Sequence, residues 1–262
     1  MNQSASTQPS TAERTSPLAG STAVVTGAAG ALGAEICRSL ARDGANLVIH
    51  HLGEDEAAAE LQAEVEALGV RAVPVSADVS DWDQVANALA RAREALGPID
   101  ILVNNAGWME SRSILDSDLA AWRRTLSVDL DGVFIVTRQL LPELIERNGR
   151  IVNLSSQLAY KGARDFAAYC AAKAGVLGLT RALAREVGPG VRVNAIAPGP
   201  IDTPMVRPHA TAEWVAERTR DSVVGRLGLP EESGPALAFL VGPGASLIHG
   251  QTLHLNGGGV LG

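Results

Sequence analysis

The chain has 262 residues, of which 46% are hydrophobic and 19% are charged, a balance that is ordinary for a soluble globular protein. Its formal net charge of −7, with no basic stripe, argues against broad nucleic-acid binding. No apolar run reaches the length of a membrane span. The five histidines are scattered and the two cysteines form no CxxC motif, so the sequence predicts neither a metal site nor a disulfide framework. We expect a cytoplasmic protein.

The first 17 residues differ in composition from the rest of the chain. The segment MNQSASTQPSTAERTSP is polar, is rich in Ser and Thr, and lacks the apolar core of a signal peptide. We expect residues 1–17 to be a disordered polar tail. No linker or compositional break divides residues 18–262, so we expect them to form a single domain.

From Thr22 onward, short β-branched runs alternate with helical stretches. The predicted strands cover residues 22–27, 45–51, 71–79, 100–107, 150–156, 191–199 and 251–257. The predicted helices cover residues 31–43, 54–68, 81–96, 118–147 and 166–187. The first six strands have nearly continuous apolar centres, which is typical of strands covered on both faces. The alternation predicts an α/β fold with a doubly wound, seven-stranded parallel sheet and helices on both faces.

One stretch, residues 200–228, is less regular than the rest. It follows the sixth strand and contains three prolines. Long irregular connections of this kind often cover a ligand. We therefore predict a substrate lid at about 200–228.

A segment rich in small residues, TGAAGALG (Thr26–Gly33), joins the first strand to the first helix. Glycines let the backbone turn tightly and let a diphosphate approach the N–H groups at the helix N-terminus. Small residues at this point also serve plain strand–helix packing. No lysine follows the last glycine, so a P-loop for nucleotide hydrolysis is poorly supported.

Polar residues follow three other strands. In ADVSD, Asp78 is placed to accept a hydrogen bond from an adenine amino group, whereas Asp81 is placed to cap the next helix. In NNAG, the asparagine side chains either serve a ligand or tie neighbouring loops together. In NLSS, Ser155 and Ser156 point in opposite directions if the strand geometry persists. The chain has no G-x-S-x-G elbow, so the usual hydrolase interpretation is removed.

The segment YCAAK places Tyr169 and Lys173 on one face of a helix, one turn apart. Taken alone, this spacing is equally typical of a surface helix whose lysine extends into water. The other motifs decide between the two interpretations.

Together these motifs resemble those of the short-chain dehydrogenase/reductases, from Leu18 to the C-terminus. The resemblance depends on TGAAGALG, ADV, NNAG, NLSS, YCAAK and NAIAPGPIDTPM in this order, with Ser156 thirteen residues before Tyr169. It extends to 3-oxoacyl-carrier-protein reductases and secondary-alcohol dehydrogenases. It implies a Rossmann-type fold, a homotetramer, and hydride transfer between NAD(P)(H) and a carbonyl or secondary alcohol. The implied substrates are a ketone, a polyol or sugar, or a 3-oxoacyl thioester.

The resemblance also assigns catalytic roles. Tyr169 is the acid–base, Ser156 binds the substrate oxygen, and Lys173 bonds the nicotinamide ribose while its charge favours the phenolate. The family usually has Asn where SVDLDGVF places Asp129. That Asn holds a water through its backbone carbonyl, a role that Asp129 can keep as a member of the proton relay.

The resemblance assigns cofactor contacts to residues at the strand ends and on the YCAAK helix: Gly27, Ala29, Gly30, Leu32, Gly33, His51, Asp78, Val79, Asn105, Ala106, Gly107, Tyr169, Lys173, Pro198, Gly199, Ile201 and Thr203. It assigns substrate contacts to a second set: Trp108, Gln157, Leu158 and Met205. Carrier-protein reductases have a basic residue where this chain has Gly188–Gly190, although Arg147 matches a second basic position.

The choice between NAD and NADP depends on the second strand. NAD-preferring members usually end this strand with an Asp, where this chain has His51. No Arg or Lys stands ready for a 2′-phosphate, and residues 54–56 are acidic. The pattern favours NADP over NAD. The alternative to an enzyme is a catalytically silent nucleotide-binding regulatory protein, which would not need an acid–base.

Overall fold

Seven parallel strands form one sheet in the computed structural model, which describes residues 16–203, 207 and 210–261. The strands are β1 (Thr22–Val25), β2 (Asn46–His51), β3 (Ala72–Ser76), β4 (Ile101–Asn104), β5 (Arg150–Leu154), β6 (Arg192–Pro198) and β7 (Thr252–Leu255). Their spatial order is β3-β2-β1-β4-β5-β6-β7, and every neighbouring pair is parallel. The predicted doubly wound sheet is confirmed, and the strand order reverses between β1 and β4. The predicted disordered tail lies, up to residue 15, outside the described residues.

Nine helices accompany the sheet within the described residues. They are α1 (Ala31–Arg42), α2 (Asp55–Glu66), α3 (Trp82–Leu96), α4 (Leu119–Leu126), α5 (Gly132–Glu146), α6 (Leu158–Lys161), α7 (Ala167–Val187), α8 (Ala212–Thr219) and α9 (Ser233–Val241). Within these same residues, no helix combines the length and the apolar character that a bilayer crossing demands.

The strands divide the core into two layers because successive side chains point to opposite faces. Val25 contributes to a cluster with Ile36 of α1 and Leu237 of α9. Its neighbour Val24 contributes to a second cluster with Leu140 of α5. Helices α1, α2 and α9 thus cover one face, and α3, α5 and α7 cover the other.

The single helix predicted over residues 118–147 is wrong in one respect, since a π-helical turn (Ser127–Asp131) separates α4 from α5. The turn is followed by Gly132, where a Cβ would lie only 2.8 Å from Cγ2 of Val79. The close approach explains why glycine begins α5. Hydrophobic periodicity does not show where a helix changes its hydrogen-bonding register, so the turn escaped prediction.

A chain of buried polar groups links two neighbouring strands to two helices. The amide nitrogen of Asn104 on β4 donates to Oδ1 of Asn153 on β5 at 2.8 Å and to Oγ1 of Thr137 on α5 at 3.0 Å. The amide nitrogen of Asn153 in turn donates to Oγ1 of Thr180 on α7 at 2.9 Å. All four side chains are buried. The bonds therefore join two strands to the two helices that cover them, and we call these four residues the amide ladder.

The stretch 200–228 has its two ends held together. Ile201 pairs with Gly228, and the Gly228 N–H donates to the carbonyl of Pro200. Helix α8 lies inside this stretch and begins at a side-chain cap supplied by Thr211. This helix, like α9, was absent from the sequence prediction.

Candidate active site

The four catalytic candidates lie where β5, α7 and the π-helical turn meet. The Lys173 ammonium donates to the carbonyl of Leu154, at the end of β5, at 3.1 Å. It lies 3.3 Å from Oδ1 of Asp129 and 5.7 Å from the centre of the Tyr169 ring. Ser156 follows β5 two residues later. The structure therefore brings together residues that are far apart in the chain.

The contact between Lys173 and Asp129 is a buried ion pair. Asp129 has 0% of its surface exposed, and its Oδ1 also accepts a hydrogen bond from the Trp108 N–H at 3.0 Å. Burial raises the pKa of the Asp129 carboxyl, against the opposing effects of the Lys173 ammonium and the Trp108 N–H. A Cβ on Gly107 would lie 2.7 Å from Oδ1 of Asp129, so only glycine leaves room for this pair.

The two serines after β5 have different roles. The hydroxyl of Ser155 donates to the backbone carbonyl of Lys173 at 2.8 Å and fixes α7 against the sheet. Ser156 accepts a hydrogen bond from the Leu158 N–H at 3.1 Å, which leaves its own hydroxyl hydrogen free to donate. Ser156 is therefore the serine whose hydroxyl is available to a substrate oxygen.

The glycine segment is closely packed at two positions. Gly27 has a positive φ of 60°, and a Cβ there would lie 2.9 Å from Cα of Ala106. A Cβ on Gly33 would lie 2.3 Å from the Gly27 carbonyl oxygen. These glycines are required by the fold itself, as the strand–helix packing interpretation anticipates.

The outer part of the segment has a geometry that fits a diphosphate. Gly30 is exposed, and Ala29 and Leu32 are partly exposed. Helix α1 begins at Gly30 without a side-chain cap and without an acidic residue in its first turn. Helix α3, by contrast, is capped by the Asp81 side chain. Unpaired N–H groups at an uncapped helix start favour an anion, so the residues present fit a dinucleotide phosphate.

Asn105 ties the loop after β4 to the glycine segment. Its amide nitrogen donates to the carbonyls of Thr26 and Gly27, both at 2.9 Å. The Thr26 hydroxyl oxygen accepts from the N–H groups of Asn105 and Ala106 at 2.9 and 3.0 Å. The loop-tying alternative is thus correct for this residue. The sequence analysis did not predict this structural role for Thr26. Its position directly before the first glycine was the signal that could have indicated it.

Two residues assigned to the cofactor are held by the protein. Oδ1 of Asp78 accepts from the N–H and the hydroxyl of Ser80 at 2.8 and 2.7 Å. Val79 is buried beside Gly132. Asp81 caps α3 as predicted, because its Oδ1 accepts from the N–H groups of the next turn.

Two histidines, His50 and His51, are the last two residues of β2. His51 is only 3% exposed, its Nε2 lies 3.8 Å from the Asp55 carboxylate, and its Nδ1 has no partner within the described residues. His50 lies beneath the glycine segment, with its Nδ1 3.5 Å from the Gly27 nitrogen. Burial lowers the pKa of His50 to about 4, so this imidazole is neutral at physiological pH.

The last residue of β6 and the residues after it are also assigned to the cofactor. Pro198 and Ile201 are buried, and Gly199 is so close to β7 that a Cβ would lie 2.9 Å from Cα of Asn256. Thr203 lies two residues beyond Ile201 and is partly exposed.

The substrate candidates follow β4, follow β5, or belong to the stretch 200–228. Trp108 is 45% exposed, and Leu158 is partly buried at the start of α6. Gln157 is buried, and its Oε1 has no partner within the described part of the chain. Met205 lies outside the described residues.

Comparison with known proteins identifies the family. A family profile described as enoyl-(acyl carrier protein) reductase matches residues 27–259. The cis-4-hydroxycyclohexanecarboxylate dehydrogenase of Sinomonas cyclohexanicum is 41% identical over 239 residues, which are 90% of this chain and 95% of the relative. The acetoacetyl-CoA reductase of Allochromatium vinosum is 38% identical over 244 residues, which are 90% of this chain and 97% of the relative.

A solved structure agrees with these relatives. A short-chain dehydrogenase from Burkholderia cenocepacia, crystallised in complex with NADP, superimposes with a TM-score of 0.87 at 37% identity and covers 93% of this chain and 99% of that one. None of these comparisons supports the regulatory alternative. The chain belongs to the short-chain dehydrogenase/reductases and is an NAD(P)-dependent oxidoreductase that interconverts carbonyl and alcohol groups.

Proposed function

We propose that the enzyme reduces the carbonyl of a ketone or of a free 3-oxoacyl thioester rather than that of a carrier-bound substrate, with Ser156, Tyr169 and Lys173 as the catalytic residues. The observation that carries this proposal is the convergence of Lys173, Tyr169 and the end of β5. A nicotinamide, when bound, supplies the hydride. Tyr169 donates a proton to the developing alkoxide, and Ser156 holds the same oxygen through its free hydroxyl hydrogen.

A small substrate is favoured over a carrier-bound one by the state of Arg147. Its guanidinium contacts the Asp100 carboxylate at 2.7–2.8 Å, and that carboxylate also accepts from the Thr22 N–H. Asp100 lies at the amino-terminal end of β4, whereas the catalytic residues lie toward the carboxyl ends of the strands. Arg147 therefore serves the fold rather than a carrier protein. Acetoacetyl-CoA and cyclic hydroxy acids are the substrates named by two relatives, and we extend both chemical classes to this chain as candidates.

The assignments of cofactor and lid belong to the same proposal. The cofactor residues assigned from the sequence, from the start of α1 to Tyr169, would hold the dinucleotide, and NADP is preferred over NAD. The stretch 200–228, joined at its ends, covers the substrate. We further propose a homotetramer in the cytoplasm, where the two cysteines, both free, are compatible with reducing conditions.

The test is a substrate panel followed by the absorbance of the reduced nicotinamide. The panel contains acetoacetyl-CoA, the same acyl group on a carrier protein, a cyclohexanone carboxylate, a simple ketone and a ketose, each with NADPH and NADH. We expect the small substrates to exceed the carrier-bound one in kcat/KM. A carrier-bound substrate that exceeds all others would contradict the proposal.

A further inference from the structure

Asp129 brings a negative charge to the ammonium on which the catalytic tyrosine depends. Its Oδ1 lies 3.3 Å from Nζ of Lys173, and the two residues are 0% and 4% exposed. The hydrogen bond from the Trp108 N–H to the same oxygen does not require this charge, because the amide oxygen of an asparagine would accept it equally well. The hydrogen bond therefore leaves the charge itself unexplained.

Lys173 has the capacity to hold this partner and still bind a cofactor. An ammonium carries three donors. One is used by the Leu154 carbonyl and one by Asp129, so one remains for a ribose hydroxyl or a water. Asp129 thus does not displace the role proposed for Lys173, but it reduces the net positive charge that reaches the Tyr169 ring.

Within the described residues, no other ionised group lies as close to the pair. On the π-helical turn itself, Asp131 is exposed. From the other elements packed around the turn, the charged side chains are exposed, half-exposed or engaged with other partners: Glu110 and Arg112 after β4, Arg123 and Arg124 on α4, Arg138, Glu143 and Glu146 on α5, and Arg181, Arg185 and Glu186 on α7. The other titratable groups on the facing helix are Tyr169 and Cys170.

We propose that Asp129 is a positioning residue whose carboxylate offsets the charge of Lys173 and so keeps Tyr169 protonated to higher pH than an asparagine would. The inference rests on the proposed function in one respect, namely that Tyr169 is the acid–base. The protonated phenol is the form that carbonyl reduction requires, since it must donate a proton. The ion pair therefore adapts the site to the reductive direction.

The sign of the expected change follows from the charges. A nearby positive charge favours phenolate, and a negative charge beside it offsets that effect. Asp129→Asn removes the negative charge and keeps the acceptor for Trp108, so Tyr169 should ionise at lower pH. A full charge at about 4–6 Å shifts an ionisation by about 1–3 pH units, and Asp129 acts from behind Lys173, so we expect a shift of about one unit.

The first experiment reads the ionisation directly in the protein without cofactor. The chain has two tyrosines, so Tyr160→Phe leaves Tyr169 as the only phenol. Tyrosinate absorbance is then titrated in this background with Asp129, with Asp129→Asn and with Asp131→Asn. We expect the midpoint to fall by about one unit for Asp129→Asn and to stay within about 0.2 unit for Asp131→Asn, which removes an exposed charge from the same turn.

The second experiment follows kcat/KM against pH in both directions. In Asp129→Asn, alcohol oxidation should begin at lower pH and carbonyl reduction should decline at lower pH, both by about one unit. Asp129→Ala removes the charge and the acceptor for Trp108, so it should show the same shift together with a lower melting temperature.

The outcomes separate the possibilities. An unchanged midpoint in Asp129→Asn, or a shift seen only in Asp129→Ala, would overturn the proposed electrostatic role. Equal shifts in Asp129→Asn and Asp131→Asn would overturn it too, by showing a general charge effect. The absorbance titration tests Asp129 whether or not the enzyme turns over, whereas the proposed function fails if a Tyr169→Phe variant stays fully active.

Discussion

Tyr169 is the side chain on which the proposed chemistry depends most directly. Replacing it with Phe removes the phenol that donates the proton and keeps the ring. We expect turnover to fall by about 10²–10⁴-fold, the usual contribution of a general acid, while cofactor affinity stays within a few-fold. Steady-state kinetics and cofactor titration by fluorescence measure the two quantities.

The matched control is Tyr160→Phe, which removes the only other phenol in the chain. The Tyr160 ring packs 4.6 Å from the His254 ring, and its loss of a hydroxyl should leave the rate within a few-fold. Near-normal turnover in Tyr169→Phe on the best substrate would remove the tyrosine from the mechanism.

His51 is the residue that decides between the two cofactors in our proposal. Asp at this position can accept from both ribose hydroxyls and repels a 2′-phosphate, so His51→Asp should shift kcat/KM from NADPH toward NADH. The structure shows a second acidic group at this position, because Asp55 is exposed and lies 3.8 Å from the imidazole. Its carboxylate would also repel a 2′-phosphate. Asp55→Asn should therefore improve the use of NADPH. A wild-type enzyme with a strong preference for NADH would show that the acidic residues 54–56 outweigh the missing aspartate.

At the scale of elements, the β1–α1 connection contains glycines that the fold requires and one glycine, Gly30, that we expect only the cofactor to require. In Gly33→Ala the new methyl would collide with a backbone carbonyl 2.3 Å away, which cannot move aside. We expect the free energy of unfolding to fall by about 1–3 kcal/mol, as for an overpacked core position. Urea denaturation measures this loss.

Gly30→Ala is the comparison. Its Cβ would meet nothing closer than 3.4 Å, and the residue is exposed. This variant should unfold close to the wild type and lose affinity for the cofactor, because the methyl stands where the diphosphate approaches. If Gly30→Ala were destabilised as much as Gly33→Ala, the distinction between the two positions would be wrong.

The sequence predicted the elements well where hydrophobic period and turn chemistry agree. All seven strands and the helices α1, α2, α3 and α7 lie within a few residues of their predicted bounds. Helix α9, with the sequence SGPALAFLV, was missed because nearly every position is apolar and the segment has no amphipathic pattern. Helix α8 was missed because its neighbouring prolines indicated an irregular stretch.

The candidate site was predictable in its membership and only partly in its contacts. The order of the motifs indicated which residues lie near the carboxyl ends of the strands. It could not show that Asp78 is engaged by Ser80, or that the side chain of Asp129 reaches Lys173. Contacts of this kind depend on how α7 and the π-helical turn pack in three dimensions, which no local pattern records.

At the scale of the whole molecule, exposed apolar side chains on α4, α5 and α9 and before β7 support the proposed tetramer. They include Leu119 at 58%, Phe134 at 51%, Phe239 at 49% and Leu247 at 95% exposure. Light scattering should give about four times the mass of one chain at micromolar concentration. Phe134→Asp, which places a charge on α5, should lower that mass, whereas a wild-type monomer would contradict the tetramer.

The amide ladder has a consequence for how the site is prepared. Its bonds hold β4 and β5 in register with each other and with α5 and α7, so the helix that carries Tyr169 and Lys173 is anchored to the sheet on the same face as the helix that follows Asp129. A slip of either strand by one residue would leave buried amides without partners, which costs about 1–3 kcal/mol for each group. The catalytic geometry is therefore preorganised by folding, and the entropic cost of aligning these residues is met before any ligand arrives.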